Sequence, residues 1–407
     1  MTDIPASPRI GIAKLTKMAF DGADFAPLWN ELLAEVQRNP ANAPALMDMS
    51  CIAQFNGAPD TGATLQSRAL IQQVLYRSPC AAKAPRLRVL AFAAPVDMGG
   101  NTPIEFLLED SDVELLTLFI APGLDIPSPL PDHDIAIVTI PDSTETRPML
   151  QAVDALSKTW PRPILNLPKR IQGLDRDRLW GPLRQIPGVE IPATARVSRT
   201  DLSDMALSDI IMRDVLDDGA FPLVVRPTGS HAGLGLEKLD TPGAIAAYLD
   251  GRPEPDYFVS RFVDYSDSDG LFRKYRVVFV DGRAYACHMA VCEDWKVWYL
   301  NADMAGSAAK RAEEERFMVR FDEEFGSRHK AALDGICEAT GLDYFSIDCA
   351  QTRDGKLLVF EADNAAIVHN MDPPAIFPYK QPQMRKVFDA FIAMLDKYAR
   401  AQAARAA

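Results

Sequence analysis

The chain has 407 residues, 48% of them apolar and 24% charged, a globular composition with room for two to three domains. Its 56 acidic residues outnumber 43 basic ones, and the net charge of −13 excludes a general nucleic-acid binder, which needs a basic face. Six cysteines without CxxC spacing exclude a zinc ribbon or a disulfide framework and predict a reducing, cytoplasmic setting. The first twenty residues lack an apolar leader, and no apolar run is long enough to cross a bilayer, so no membrane partner is expected.

Residues 1–85 read as helical. Phe25–Gln37, Ala43–Phe55 and Thr64–Tyr76 carry apolar residues at helical spacing, separated by RNPANA and NGAPDTGA. Such pairing resembles one tetratricopeptide-like unit, whose expected role is a cap on the next domain; a protein partner through residues 1–85 stays open. After the linker Pro79–Arg86, the segments Leu87–Ala93, Val113–Ile120, His133–Ile140 and Pro163–Leu167 read as strands alternating with helices. This predicts a mostly parallel, Rossmann-like αβ domain over residues 86–174. Ligands of such sheets sit in the loops after the strands, which makes MGGNTP (98–103) a candidate substrate edge; a glycine turn opening a helix fits it equally.

The stretch FPLVVRPTGSHAGLGLEKLD (221–240) runs from an apolar strand through Arg226 into Gly229, Gly233 and Gly235. Glycines permit positive φ and close approach of backbone to a ligand, and successive N–H groups form an anion-binding concavity. Ser230 and His231 add side-chain donors. A glycine-rich hairpin is the bland alternative, and neither the Walker nor the Rossmann glycine spacing is present. Next come a strand over Tyr257–Tyr265, a hairpin turning on Asp281-Gly282, a charged helix, and a last hairpin from Tyr344 to Asn364. If Asp354-Gly355 is a two-residue turn, Asp348 lies directly opposite Glu361 on one face. Like charges so placed repel, and a divalent cation relieves the repulsion, with Asn364 adding an oxygen; few protein oxygens suit Mg²⁺ shared with phosphates. Without the cation the pair is expected to depend on a nearby Arg or Lys, Arg276 foremost, and neutralising either carboxylate to leave thermal stability unchanged or raise it. A solvated charged face remains the alternative.

Taken in order, Arg226 with GSHAGLG, the strand YFVSRFV, the RVVFVDG hairpin and the Asp348, Glu361, Asn364 set resemble the ATP-grasp superfamily of carboxylate–amine ligases. The resemblance covers about residues 160–395. It implies an ATP-grasp fold of two α+β subdomains over 175–400: a lid at about 191–260 and a metal-binding part at about 261–400. The αβ domain and the helical region precede it, so the class is α/β and α+β. It further implies that Arg226, Gly229, Ser230, His231, Gly233 and Gly235 hold the phosphates of ATP. Ser260, Arg261, Phe262 and Val263 would present backbone to adenine, and Asp264 would meet the ribose. Asp348, Glu361 and Asn364 would hold Mg²⁺, and Arg276, with Arg226, would act on the γ-phosphate or acyl phosphate. Two departures stand out. Arg226 replaces the family's lysine, a change of geometry if not of charge. The second phosphate lysine has no clear match, with Arg196, Arg199 and Arg176 as candidates.

The implied activity joins a small-molecule or peptide carboxylate to an amine at the expense of ATP. Alternatives from other classes are a weakly catalytic nucleotide-binding protein that recruits a partner through its helices, and a small-molecule kinase on the same fold. A homo-oligomer is left open. His288 reads as structural, and Trp295, Trp298 and Tyr299 either line an acceptor pocket or pack.

Overall fold

A computed structural model describes residues 9–207, 209–230 and 233–406, and its contacts divide them into two units. The first comprises residues up to Gln172, Leu342–Phe345 and the chain from Asp363; the second comprises Gly173–Gly341 and Ser346–Ala362. The two N-terminal regions distinguished by periodicity thus cluster together, and the chain after Ala362 joins them.

In the first unit, helices Ile12–Phe20, Ala26–Arg38, Ala43–Phe55 and Pro59–Gln72 come first. The third is buried almost throughout, with Leu46 and Ile52 packed among Leu15, Leu70, Tyr76 and Phe119. Strands β1 (Leu75–Arg77), β2 (Leu87–Ala93), β3 (Val113–Phe119), β4 (Ile135–Val138) and β5 (Ile164–Leu165) form one sheet in the order β1-β3-β2-β4-β5. All neighbours are parallel except β1, which runs antiparallel to β3. The expected helix through Tyr76 therefore stops at Gln72, because Leu75–Arg77 find a partner strand. Asn166 follows β5 in the left-handed conformation (φ 52) and is wholly buried. Its Nδ2 donates to the Tyr344 carbonyl (2.7 Å), while its Oδ1 accepts from the N–H groups of Asp343 (3.0 Å) and Tyr344 (2.9 Å). A long helix, Lys380–Ala406, closes the chain.

The second unit holds two sheets. Strands β7 (Thr194–Ser198), β8 (Leu223–Pro227), β9 (Glu237–Leu239) and β10 (Asp256–Arg261) form an antiparallel sheet ordered β7-β10-β8-β9. Period-two alternation sends Val197, Leu223, Val225, Tyr257 and Val259 into a core with Ile245 and Tyr248. The other sheet is ordered β12-β11-β13-β14-β6, from β6 (Val189–Glu190), β11 (Phe272–Val280), β12 (Arg283–Cys292), β13 (Tyr344–Gln351) and β14 (Leu357–Asp363). Val280 pairs with Arg283 around Asp281 (φ 48) and Gly282 (φ 84), the two-residue type I′ turn that Asp-Gly favours. Helices Ala308–Val319, Phe325–Arg328 and Lys330–Thr340 complete the unit. No helix among the described residues is long and apolar enough to cross a membrane.

Candidate functional site

Arg226 leaves β8 on the face opposite the core. The register sets Arg226 and Arg196 on either side of Phe258, and the Arg196 guanidinium lies over that ring, 4.9 Å from its centroid. Lys238, opposite Val224, adds a third cation to this face and sits 4.8 Å over the Phe262 ring. Three basic side chains and two aromatic rings thus share one surface of the four-stranded sheet.

The glycine-rich segment turns back at the end of this surface. Gly229, Gly233 and Gly235 all have positive φ (73, 72 and 67), and a Cβ on Gly235 would stand 2.6 Å from Pro227 Cδ. Arg226 curls onto the loop: its Nε donates to Ser230 Oγ (3.1 Å) and its Nη2 to the Ser230 carbonyl. Tyr248 OH donates to the Gly235 carbonyl (2.8 Å), and Lys296 Nζ reaches the Leu236 carbonyl (2.9 Å) from the aromatic segment that follows β12. His231 lies outside the described residues.

Helix Arg176–Leu183 begins beside this loop and carries charge to both sheets. Asp175 Oδ2 accepts from Arg196 Nη2 (2.7 Å), and Arg176 is ion-paired with Glu361 on β14. Burial, and then the nearby Arg176 charge, push the Arg226 guanidinium down to about 9. Arg226, Arg176 and Glu361 therefore share one electrostatic environment between the glycine loop and β14. Arg199, another basic candidate, is spent on the carbonyls of Arg252 and Leu249.

On the five-stranded sheet, Asp348 is 3% exposed and receives two cations from β11. Arg276 donates from Nε to Oδ1 (2.7 Å) and from Nη2 to Oδ2 (3.1 Å), a bidentate pair, and Lys274 Nζ lies 2.8 Å from Oδ2. Burial alone would raise the Asp348 carboxyl; Arg276 and Lys274 outweigh it and hold the group well below the usual carboxylate range. His288 pairs with Arg276 across β11 and β12, and its ring meets Tyr299 at 5.0 Å.

The turn before β14 corrects one expectation. The Thr352 N–H donates to the Lys356 carbonyl (3.0 Å) and the Gly355 N–H to the Thr352 carbonyl (2.9 Å), enclosing three residues with Gly355 left-handed (φ 83). Thr352 Oγ1 selects this turn by donating to Asp354 Oδ1 (2.6 Å) and accepting the Lys356 N–H (3.0 Å). The turn is thus one residue longer than the two-residue turn expected at Asp354-Gly355. The two carboxylates have separate basic partners, Arg276 with Lys274 and Arg176, of which Arg276 was the one expected. The expected sign of the Asp348 stability effect is reversed with it, since removing a buried partner leaves cations uncompensated.

Asn364 lies in the first unit, where its Nδ2 donates to the Ile140 carbonyl (3.1 Å) and its own carbonyl accepts from Thr102 Oγ1 (2.7 Å). Ser260 sits inside the ladder between β7 and β8, and Arg261 directs its side chain to Asp218 (2.6 Å) and Glu190. The Phe262 N–H is given to the Pro222 carbonyl (2.7 Å), and Asp264 Oδ1 accepts the Ser266 N–H (2.9 Å), so Val263 and Asp264 are the residues beyond the ladder. Trp295 packs edge-on against Phe262 at 5.6 Å. Sequence reasoning passed over Lys274, Lys238 and Lys296. The signal for Lys274 was its two-residue spacing from Arg276, which puts both on one strand face. Among the described residues no three His, Cys, Asp or Glu side chains converge on a metal-sized site.

No protein-family model matches the chain, and no curated protein does. Among solved structures it is similar to an ATP-grasp RimK domain protein from Sphaerobacter thermophilus, at 16% identity and a TM-score of 0.44, over 76% of this chain and 99% of that one. It is also similar to D-alanine–D-alanine ligase from Bacillus anthracis complexed with ATP, at 15% identity and a TM-score of 0.44, over 77% and 99% of the two chains. A third similar structure is the ATP-grasp ligase PsnB complexed with its precursor peptide PsnA2 and AMPPNP, at 11% identity and a TM-score of 0.42, over 77% and 99%.

Proposed function

We propose that residues 173–362 form an ATP-grasp module that joins a carboxylate to an amine at the expense of ATP. The observation that carries this reading is the Arg176 bridge. It sets the arginine-bearing end of the glycine loop, through Arg226, in the same electrostatic environment as the Glu361 carboxylate of β14. A polyanion entering there meets Arg226, Arg196 and Lys238 on one sheet, with the backbone of Val263 and Asp264 at the far end for the adenine and ribose. The second sheet offers Arg276 and Lys274, each able to exchange its contact with Asp348 for a phosphate oxygen.

The donor set suits Mg²⁺ in kind: Asp348 and Glu361 supply hard carboxylate oxygens, each neutralised by basic side chains that phosphates would draw away. When bound, the ion would spread the charge developing on the phosphates. The residues do the rest by placement and charge. A carboxylate oxygen of the acid attacks the γ-phosphorus, the bond to the β,γ-bridging oxygen breaks, and ADP leaves with that electron pair. Arg226 and Arg276 hold the transferred group. The amine then attacks the acyl carbon, phosphate departs with the bonding pair, and the amine proton passes to phosphate or solvent. The Gly229–Gly235 segment, closed over the phosphates, keeps water from the acyl phosphate.

Hydroxylamine tests this reading, because it captures an acyl phosphate as a hydroxamate. Incubation with ATP, Mg²⁺ and pools of amino acids, dipeptides and peptides should yield ADP and one hydroxamate detected by mass spectrometry. ADP release without any acid, or a stable phosphorylated product that resists hydroxylamine, contradicts it.

A further inference from the structure

The five-stranded sheet has a second face. Along β11, Lys274 and Arg276 point to Asp348, so Tyr275 between them points the other way. There its ring meets Phe317 at 4.9 Å and Phe325 at 4.8 Å, and those two meet each other at 5.2 Å. These rings line a cavity of about 380 Å³, within the size range of small-molecule sites. Four arginines also line it, and they divide into two kinds. Arg273 is matched by Asp269 (2.7 Å) and Glu313 (2.7 Å), and Arg316 by Glu324 (2.8 Å). Arg328 instead donates to the neutral Gln351 Oε1 (2.8 Å). Arg353 donates to the carbonyl (2.8 Å) and hydroxyl (2.6 Å) of Ser266, with Asp264 no nearer than 3.8 Å.

We propose that this cavity, on the sheet face opposite Asp348, binds an organic anion whose aromatic or apolar body rests on Tyr275, Phe317 and Phe325 while its carboxylate or phosphate is taken by Arg328 and Arg353. Arg328 can exchange its neutral acceptor for an oxyanion and gain a charge-assisted, bidentate contact, and Arg353, whose pair with Asp264 is long and solvent-exposed, can do the same. The ring floor adds stacking and excludes water from that contact. The site shares no side chain with the Arg226 surface, and touches the nucleotide reading only through the long Arg353–Asp264 pair.

Calorimetric titration of the full chain with phenylacetate, phenyl phosphate and inorganic phosphate separates the outcomes. One ring-bearing probe should saturate at one equivalent, and the tighter of the two identifies the oxyanion. Arg328→Ala with Arg353→Ala, both at the surface, should weaken that probe at least tenfold at an unchanged melting temperature. Arg226→Ala should leave it unchanged. Absence of saturation by both ring-bearing probes overturns the proposal. So does inorganic phosphate binding as tightly as phenyl phosphate, or loss of binding in Arg226→Ala with the double variant unaffected.

Discussion

Replacing Asp348 by asparagine keeps the volume and one acceptor oxygen but removes the charge that Arg276 and Lys274 share. Breaking a buried ion pair by removing one partner costs about 3–5 kcal/mol, because the remaining charge is left uncompensated. Here the two cations retain 19% and 23% of their side-chain exposure, so water can recover part of that loss. A cost of about 2–3 kcal/mol follows, from just below that range to its lower edge. For a unit of this size each kcal/mol moves the melting temperature by about 2–4 °C, giving a fall of about 4–12 °C in a calorimetric scan at pH 7. The effect should also depend on acidity in a definite sense. The folded chain holds Asp348 ionised well below the value of about 4 at which the unfolded chain protonates it. Its contribution is therefore complete above that pH and is lost as the pH falls below it, so wild type and variant should converge in acid. Arg276→Met combined with Asp348→Asn should cost less than the sum of the two single changes. A variant melting within a degree of wild type at neutral pH refutes the argument, whatever its activity.

Arg226→Ala should weaken ATP binding by a charge-assisted contact of about 1.5–3 kcal/mol, roughly 10- to 150-fold by calorimetry. Gly235→Ala should depress turnover and stability more than Gly229→Ala: both positions have positive φ, but only Gly235 would drive a Cβ into Pro227. Lys296→Met should free the Leu236 carbonyl, raising the KM for ATP and the rate of proteolytic cleavage near Gly233, with equal rates in the two proteins counting against a tether.

Local chemistry was legible, and long-range partners were not. Asp281-Gly282 read as a two-residue turn and is one, because both residues adopt positive φ. The same dipeptide at Asp354-Gly355 misled, since the Thr352 hydroxyl engages Asp354 and the Lys356 N–H and enlarges the turn by one residue. Leu75 and Tyr76 continue an apolar spacing that a helix satisfies, and only the remote strand β3 converts them to β1. Arg226 and the glycines announced a turn with left-handed positions, and Gly229, Gly233 and Gly235 adopt them. That Arg196 shares its surface depends on β10 lying between β7 and β8, a pairing no local pattern specifies. That Lys274, over 70 residues earlier, joins Arg276 at Asp348 is invisible to a hairpin considered alone.

Asn166 has a consequence for how the chain is made. Its amide is buried and its partners are Asp343 and Tyr344, 177 and 178 positions later. During vectorial synthesis at roughly 5–20 residues per second, β5 waits about 9–35 seconds for them to emerge. Through that interval the Asn166 side chain must remain hydrated or engage a temporary substitute. The first unit can thus reach its final packing only after nearly the whole second unit has been translated. A ribosome stalled shortly before residue 343 should display the segment around Asn166 still open to cleavage by protease.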